Sequence, residues 1–177
     1  MPPLPAHLVV RPVALPDAGA LRDLRVEALR LHPVDLTADL AETEATPPRE
    51  WQEQAARSVG DGGEVIVLAE DSRTGTLGGM AGVYTQKQPK LAHAGVVWGV
   101  YVREPYRRQG VAAALVRACV EWARAKRLVT LRLSVTAAND TARRCYERCG
   151  FVPYGVEPLA VQWQGRYYDE TLMVLRL

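Results

Sequence analysis

The stretch of sequence that decides the fold runs from residue 100 to residue 151. It begins VYVREPYRRQGVAAAL (residues 100–115) and ends NDTARRCYERCGF (residues 139–151). An apolar strand end leads through a polar turn into a helix over 110–126, whose apolar residues recur at helical spacing. An alternating strand over 130–135 follows, and a short helix over 140–148 ends at Gly150, the usual left-handed position after a helix. The stretch therefore predicts a β-α-β-α unit, which is right-handed if its two strands are parallel neighbours.

The rest of the chain predicts strands and helices on both sides of this unit. Strands are expected at 8–14, 64–71, 76–86, 92–102, 151–156 and 167–177. Helices are expected from Asp17, as N-cap, to His32, and from the cap Thr46-Pro47 to about Ser58. The acidic segment 34–46 is expected to be a loop or a poorly formed helix. Antiparallel strands thus precede a β-α-β crossover, which indicates a mixed-sheet α/β protein.

Composition predicts a globular cytoplasmic protein. The chain has 177 residues, 48 % hydrophobic and 24 % charged, which suits one domain over 1–177. Apolar runs such as 65–69 are too short for a bilayer, and the N-terminus has no secretion signal, so no membrane partner is expected. A net charge of +2 gives no argument for nucleic acid. Cys119, Cys145 and Cys149 suit free thiols, and no metal site is expected because further ligands lack suitable spacing.

Two short motifs resemble a known family. Arg107, Gly110 and Ala112 fit R/Q-x-x-G-x-G/A at a strand-to-helix junction. The pattern N-x-x-A-x-x-x-Y-x-x-x-G-F is matched by Asn139, Ala142, Tyr146, Gly150 and Phe151. These segments resemble those of the GNAT family, the Gcn5-related N-acetyltransferases. The resemblance implies the GNAT-like acyl-CoA acyltransferase fold, a mixed, mostly antiparallel central sheet with helices on both faces, and acetyl-CoA as cosubstrate.

The turn before the long helix has the composition of an anion-binding loop. A helix N-terminus presents unpaired N–H groups and the positive end of its dipole, so phosphates bind there. Gly110 and Ala112 leave the backbone open to close approach, and Arg107 and Arg108 add positive charge. The backbone groups expected to bind the pyrophosphate belong to Arg108, Gln109, Gly110, Val111, Ala112 and Ala113. The alternative is that Gly110 only begins a helix and that the arginines are solvated.

The strand before that turn is expected to act through its backbone. The resemblance implies that Val100, Tyr101 and Val102 bind the pantetheine arm as an added strand would. Gly99 would ease a β-bulge there, and the N–H near Val100 would stabilise negative charge on the thioester oxygen. A regular central strand is the alternative.

Asn139 and Tyr146 are expected to complete the cofactor site. Asn139 suits an N-cap, and the resemblance adds a hydrogen bond to the pantetheine arm. Tyr146 alone would be a buried helix tyrosine, but its family position implies a hydrogen bond to the departing sulfur. A phenol has a pKa of ~10 and an alkyl thiol ~8.5, so donation to the forming thiolate is favoured over full proton transfer.

The acceptor side is the least determined by the sequence. A primary amine is mostly protonated at neutral pH, so the site needs a proton acceptor. Glu44, Asp169 and Glu170 are candidate bases, with surface carboxylates as the alternative for each. Aromatic residues that could line a pocket are Tyr84, Trp98, Trp163, Tyr167 and Tyr168.

The sequence thus predicts an N-acetyltransferase in which a primary amine attacks acetyl-CoA directly, without an acyl-enzyme. A small-molecule amine is favoured over a protein N-terminus or lysine, because no peptide-recognition pattern is visible. A non-catalytic acyl-CoA sensor on the same fold and a homodimer are left open. A P-loop nucleotide-binding protein is disfavoured, since G-K-[ST] is absent.

Overall fold

The structure, a computed structural model, describes residues 4–60 and 62–177. The strands are β1 (Leu8–Pro12), β2 (Glu64–Asp71), β3 (Thr76–Thr85), β4 (Ala94–Val102), β5 (Thr130–Thr136), β6 (Val152–Trp163) and β7 (Arg166–Arg176). The helices are α1 (Ala18–Leu31), α2 (Leu40–Ala45), α3 (Pro48–Val59), α4 (Val111–Ala125) and α5 (Asp140–Arg148). None of these helices is long and apolar enough to cross a membrane.

The seven strands form one sheet in the order β1-β2-β3-β4-β5-β7-β6. All neighbouring strands are antiparallel except β4 and β5, which are parallel. A parallel pair needs a long crossover connection, and α4 provides it. The predicted fold class, a mixed and mostly antiparallel sheet with helices on both faces, is confirmed.

The two faces of the sheet bury separate apolar clusters. One cluster lies under α4 and α5 and includes Val67 and Leu115. The other lies under α1 and α3 and includes Ile66 and Leu68. Successive side chains of a strand point to opposite faces, so a strand buried on both faces is a continuous apolar run, as β2 is.

Most predicted elements match the structure within one or two residues, and β2 and α5 match at both ends. The segment 34–46 contains one short helix, α2, whose N-cap Asp39 accepts a hydrogen bond from the Glu42 N–H (2.8 Å). The final hairpin is longer than predicted, because two register shifts let β6 continue to Trp163. Pro158 lies in the second of these register shifts, between Glu157 and Val161. Proline has no N–H, so it is tolerated there because no ladder hydrogen bond is lost.

Two predicted helix caps act differently from the expectation. Asp17 occupies the N-cap position of α1, but its carboxylate accepts the Ala14 N–H (2.7 Å) and pairs with Arg11 (2.6 Å). Thr46 does not cap α3, whose N-cap position is Pro47. The Thr46 hydroxyl instead donates to the Glu42 carbonyl (2.9 Å), so it ends α2 and does not begin α3.

Candidate active site

β4 and β5 separate part-way along their length. They pair only over Ala94–Val96 and Thr130–Arg132. Beyond these residues β4 continues to Val102 beside β3, and β5 continues to Thr136 beside β7. Residues 97–102 therefore have an edge that β5 does not pair with. The open edge predicted at Val100–Val102 is present, and its use for the pantetheine arm stays a prediction.

Gly99 lies in a β-bulge. Met80 pairs with Tyr101 but Gly82 pairs with Trp98, so two residues of β4 lie opposite one residue of β3. The φ angle of Gly99 is +63°, which L-residues rarely adopt. A bulge bends the strand locally and redirects its backbone groups. The alternative of a regular central strand is therefore wrong.

The turn between β4 and α4 is strained and held in place. Arg108 has a φ angle of +61° and Gly110 one of +85°. A positive φ angle at a residue other than glycine costs about 1–3 kcal/mol and is typical of ligand clamps. The Gln109 amide donates to the Pro105 carbonyl (2.8 Å), and the Arg107 N–H donates to the Glu104 carbonyl (3.1 Å). These bonds maintain the shape of the turn.

The start of α4 leaves backbone donors available. The Ala114 N–H makes the first bond of the helix, to the Gly110 carbonyl (3.0 Å). The N–H groups before Ala114 have no intrahelical acceptor, as at any helix start. Val111 and Ala113 are each 2 % exposed, so they can reach a ligand only through the backbone. Residues 110–113 thus fit the phosphate-binding helix start that the sequence predicts.

The Arg107 side chain is held by two contacts outside the turn. Its Nε donates to the Val102 carbonyl (2.9 Å), and its Nη2 lies 3.0 Å from His32 Nε2. The Arg107 guanidinium thus contacts β4 and the segment after α1, and the charge that Arg107 and Arg108 add to the loop stays a prediction. Because a guanidinium only donates, His32 Nε2 accepts, which assigns the ring proton to Nδ1.

The segment between α1 and α2 crosses the opening between β4 and β5. On the β4 side, the His32 ring lies 5.8 Å from the Tyr101 ring. On the β5 side, the Thr136 hydroxyl donates to the Val34 carbonyl (3.5 Å) and the Asn139 amide donates to Asp35 (3.1 Å). Residues 32–35 therefore form one wall at the carboxyl ends of both strands.

Asn139 caps α5, as the sequence predicts. Its side-chain oxygen accepts the Ala142 N–H (3.0 Å), while its NH₂ group contacts Asp35. The additional hydrogen bond to the pantetheine arm stays a prediction.

Tyr146 projects from α5 into the cluster under α4. The residue is 8 % exposed, and its ring packs edge-on against Phe151 at 6.2 Å. Burial is the main cause that raises the pKa of Tyr146 above its usual value, and negative charge from neighbouring groups adds to it. The phenol is therefore protonated at neutral pH.

A charged network beside Tyr101 was not predicted. The Tyr101 hydroxyl donates to Glu27 (2.9 Å), and Arg103 donates to the same carboxylate (2.7 Å). Burial, followed by the hydrogen bond to Glu27, raises the pKa of Tyr101 to about 12. Burial alone would raise the pKa of Glu27, but the bonds from Arg103 and Tyr101 outweigh it and lower that pKa. Tyr101, expected to act only through its backbone, thus also anchors α1 to β4.

The candidate bases lie in different places. Glu44 accepts a hydrogen bond from Arg30 (2.5 Å) at the surface of α1 and α2. Asp169 accepts the Leu159 N–H (2.9 Å), which supports the second irregularity of β6. Glu170, on β7, lies opposite Thr136, the last residue of β5. No hydrogen bond or ion pair within the described residues joins Glu44 or Glu170 to Tyr146.

The predicted aromatic lining is not assembled as one group. Trp98 packs against the cluster under α1 and α3. Tyr84, Trp163 and Tyr167 are exposed on the sheet, and Tyr168 is half-buried. Trp98 is thus the member that lies next to the bulge.

The three cysteines are free, and Cys145 on α5 interacts with Cys149, the residue that follows this helix. The neighbouring Cys149 thiol, followed by the charges of Arg148 and Arg117, lowers the pKa of Cys145 below its usual value. Burial raises the pKa of Cys119 to about 12. No group of three or more His, Cys, Asp and Glu side chains is placed to hold a metal within the described ranges.

Alkylation of Cys145 by iodoacetamide should already proceed at neutral pH, because its pKa is lowered and the thiolate is the reactive form. Cys119 should stay unmodified until the protein unfolds. Peptide mass spectrometry after timed labelling measures both rates, with Cys145→Ser as the control. Equal rates at Cys145 and Cys119 would contradict this difference in environment.

The family model that matches this chain is that of the acetyltransferase (GNAT) family, over residues 26–151. The chain belongs to this family. As a GNAT acetyltransferase it uses acetyl-CoA as its cosubstrate. The matched region contains the bulge, the turn before α4, Asn139 and Tyr146.

This GNAT protein is 31 % identical to the L-methionine sulfoximine/L-methionine sulfone acetyltransferase of Pseudomonas aeruginosa. The aligned 140 residues cover 78 % of this chain and 75 % of the relative. A GNAT acetyltransferase from Streptococcus pneumoniae superposes with a TM-score of 0.84 at 22 % identity, over 96 % of this chain and 99 % of that one. A phosphinothricin acetyltransferase from Sinorhizobium meliloti in complex with acetyl-CoA superposes with a TM-score of 0.82 at 18 % identity, over 97 % of this chain and 89 % of that one. The two structural likenesses establish a shared fold.

Proposed function

We propose that this GNAT enzyme transfers the acetyl group of acetyl-CoA to a small-molecule primary amine, by direct attack within a ternary complex. The observation that carries the proposal is the 31 % identity to an acetyltransferase named for L-methionine sulfoximine and L-methionine sulfone. Both of those molecules are small primary amines. A protein N-terminus or a lysine side chain is the alternative acceptor.

The wall formed by residues 32–35 supports a small acceptor. It contacts β4 through His32 and β5 through Val34, so it narrows the approach to the open strand edge. A polypeptide acceptor would need an extended groove there, whereas a small amine needs only a cleft.

The roles of the cofactor residues follow the geometry of β4 and α4. The backbone of Val100–Val102 would hold the pantetheine arm along the open edge, and the N–H groups of residues 108–113 would hold the pyrophosphate. Asn139 would bond the arm from the start of α5. The Val100 N–H, next to the bulge, would stabilise charge on the carbonyl oxygen.

Proton transfers would involve Tyr146 and Glu170. The protonated Tyr146 would donate a hydrogen bond to the departing sulfur. Glu170 is better placed than Glu44 to accept a proton, since it lies opposite Thr136 at the wall, whereas Glu44 is held by Arg30. Glu170 also lies opposite Glu157 on β6, and two adjacent carboxylates favour a cationic amine nearby.

Glu170→Gln should lower kcat roughly 10- to 100-fold at pH 7, at the lower end of the ~10²–10⁴-fold typical of a general base, because water can accept part of the proton load. The deficit should shrink as the pH approaches ~10.4, where the amine loses its proton without help. Steady-state rates from pH 7 to 10 measure this, with Glu44→Gln in parallel. A larger loss for Glu44→Gln than for Glu170→Gln would assign the base to Glu44.

Acetyl-CoA consumption across amines, amino acids, polyamines, aminoglycosides and short peptides tests the function as a whole. Turnover with amino acids or other small amines, but not with peptides, is the expected result. Turnover only with peptides would show that the acceptor is a polypeptide.

Acetyl-CoA should raise the melting temperature of the enzyme. A ligand at about 100 times its Kd stabilises the native state by ~2.7 kcal/mol, and for a chain of this size that corresponds to roughly 5–10 °C. Differential scanning fluorimetry with acetyl-CoA and with adenosine as a control measures the shift. An unchanged melting temperature at millimolar acetyl-CoA would contradict the proposed site.

We further propose that residues 1–177 act as one GNAT-like domain in the cytoplasm and that the protein is a homodimer. Support for a second copy comes from β6, an edge strand that exposes Val152, Tyr154 and Val156. Sedimentation velocity at micromolar concentration tests the dimer, and limited proteolysis tests the single domain.

A further inference from the structure

Asp35 is a carboxylate on the wall formed by residues 32–35, at the opening between β4 and β5. It follows Val34, whose carbonyl accepts a hydrogen bond from the Thr136 hydroxyl (3.5 Å) at the end of β5. Thr136 also lies opposite Glu170, the proposed proton acceptor. The Asp35 side chain is 33 % exposed, so its carboxylate is accessible to a ligand from solvent. Asp35 and Glu170 are therefore two carboxylates at the same end of β5.

The Asp35 carboxylate has only neutral partners in the described part of the chain. Its Oδ1 accepts a hydrogen bond from the Asn139 side-chain amide (3.1 Å). Its Oδ2 lies 3.6 Å from His32 Nδ1, which is longer than a hydrogen bond. The His32 ring is neutral, because its Nε2 accepts from the Arg107 guanidinium (3.0 Å). A carboxylate has about four acceptor sites, so Asp35 retains both its charge and room for further donors.

The charge of Asp35 reaches Tyr146. Tyr146 lies seven residues after Asn139, which is two turns of α5, so the two residues share one face of the helix. Burial raises the pKa of Tyr146 most, and negative charge on Cys145 and then on Asp35 raises it further. A Coulomb interaction weakens with distance, so the carboxylate lies near the Tyr146 hydroxyl. Tyr146 is proposed to bond the departing sulfur, and Asp35 therefore lies near the place proposed for the thioester.

We propose that Asp35 is an acceptor-binding residue, which holds the ammonium group of a primary amine at the opening between β4 and β5. This inference rests on the proposed function. A primary amine is mostly protonated at neutral pH, so it arrives as a cation and makes a charge-assisted hydrogen bond to the carboxylate. The two carboxylates then have separate roles. Asp35 attracts the cation and keeps its own charge, while Glu170 takes up the proton that the amine loses before it attacks.

Asp35→Asn removes the charge and retains the shape of the side chain. Its amide oxygen can still accept the Asn139 hydrogen bond, so the wall stays attached to α5. A charge-assisted hydrogen bond contributes enough to change affinity about 10- to 100-fold. For the small primary amine of the panel with the highest kcat/KM, the KM at pH 7 should rise by that factor, with kcat within about threefold of the parent. Acetyl-CoA affinity, measured by calorimetry, should also stay within about threefold, because Asp35 is assigned no contact with the cofactor.

Asp35→Glu and Asp39→Asn are the matched comparisons. Asp35→Glu keeps the charge on a longer side chain, so it should raise KM less than Asp35→Asn does. Asp39 lies four residues further along the same acidic segment, where its carboxylate accepts the Glu42 N–H (2.8 Å) at the start of α2. Asparagine caps a helix as well as aspartate does, so Asp39→Asn removes one negative charge without loss of the cap. It should leave the KM of the amine unchanged.

The order of the two Asp35 variants separates a role of charge from a role of shape. If Asp35→Asn binds the amine like the parent, or if Asp35→Glu has the higher KM of the two, Asp35 only holds the wall in place and the ammonium site is wrong. A fall in kcat with an unchanged KM would assign Asp35 to proton transfer and overturn its binding role. In each of these cases the proposed function stands. A parent enzyme that acetylates no small primary amine of the panel would overturn the proposed function itself, and this site with it.

Discussion

Gly110→Val should weaken acetyl-CoA binding by about 100-fold, the equivalent of two charge-assisted hydrogen bonds at ~1.5 kcal/mol each. Gly110 has a φ angle of +85°, which a β-branched residue can adopt only with strain. The turn would relax and rotate the N–H groups of residues 108–113 away from the pyrophosphate. The new side chain would also obstruct the approach of a phosphate. Isothermal titration calorimetry at 15 °C measures the change in Kd.

The variant will also be less stable, because strain at a positive φ angle costs about 1–3 kcal/mol. Gly75→Val is the matched control: Gly75 has a φ angle of +69° in the turn between β2 and β3, and a Cβ there meets no other atom within 4 Å. It should show a similar fall in melting temperature with an unchanged Kd. Parent-like binding by Gly110→Val would show that the start of α4 is not the pyrophosphate site.

Tyr146→Phe should lower kcat roughly 10- to 1000-fold and leave acetyl-CoA affinity within a few-fold of the parent. The packing against Phe151 is retained, since only a hydroxyl is lost. Its hydrogen bond matters mainly as charge develops on sulfur, so the effect belongs to kcat and not to binding. The range is wide because a general acid gives about 10²–10⁴-fold and a water molecule can partly replace the phenol.

The pH profile gives Tyr146 a second test. Because the pKa of Tyr146 is raised, the phenol keeps its proton through neutral and mildly alkaline pH. The kcat of the parent should therefore show no falling limb from this group below ~10, the ordinary pKa of tyrosine. Single-turnover rates measure the chemical step directly. If the Tyr146→Phe variant turns over as fast as the parent, Tyr146 is a packing residue only.

The choice of control tyrosine depends on the structure. Tyr101→Phe is unsuitable, since its hydroxyl is part of the network with Glu27 and Arg103. Tyr154 is 57 % exposed on β6, so Tyr154→Phe should leave kcat unchanged.

Features that depend on neighbouring residues could be predicted from the sequence. β2 follows from its unbroken run of β-branched and aliphatic residues, and α5 follows from the cap Asn139 and the ending Gly150. The bulge at Gly99 and the helix start at Gly110 could be predicted because glycine tolerates the backbone that they require.

Side-chain pairs that are distant in sequence could not be predicted. Glu27 bonds Tyr101 across 74 residues, and Asp35 bonds Asn139 across 104. Such pairs have no periodicity and no fixed spacing, so only the folded chain reveals them. The contacts of Arg107 could not be predicted for the same reason, since its partner His32 follows α1 and is 75 residues away in sequence.

The short pairing between β4 and β5 has a mechanical consequence. Three residue pairs join β1–β4 to β5–β7 in the sheet, so the sheet resembles a beam with a notch at its centre. A cofactor arm lying along Val100–Val102 would act as a splice across that notch. Mutations that extend the hydrogen-bonded pairing of β4 and β5 would make the sheet more rigid. They would also close the gap in which the pantetheine arm is proposed to lie. Rigidity of the free protein and capacity for acetyl-CoA are therefore opposed at this point of the fold.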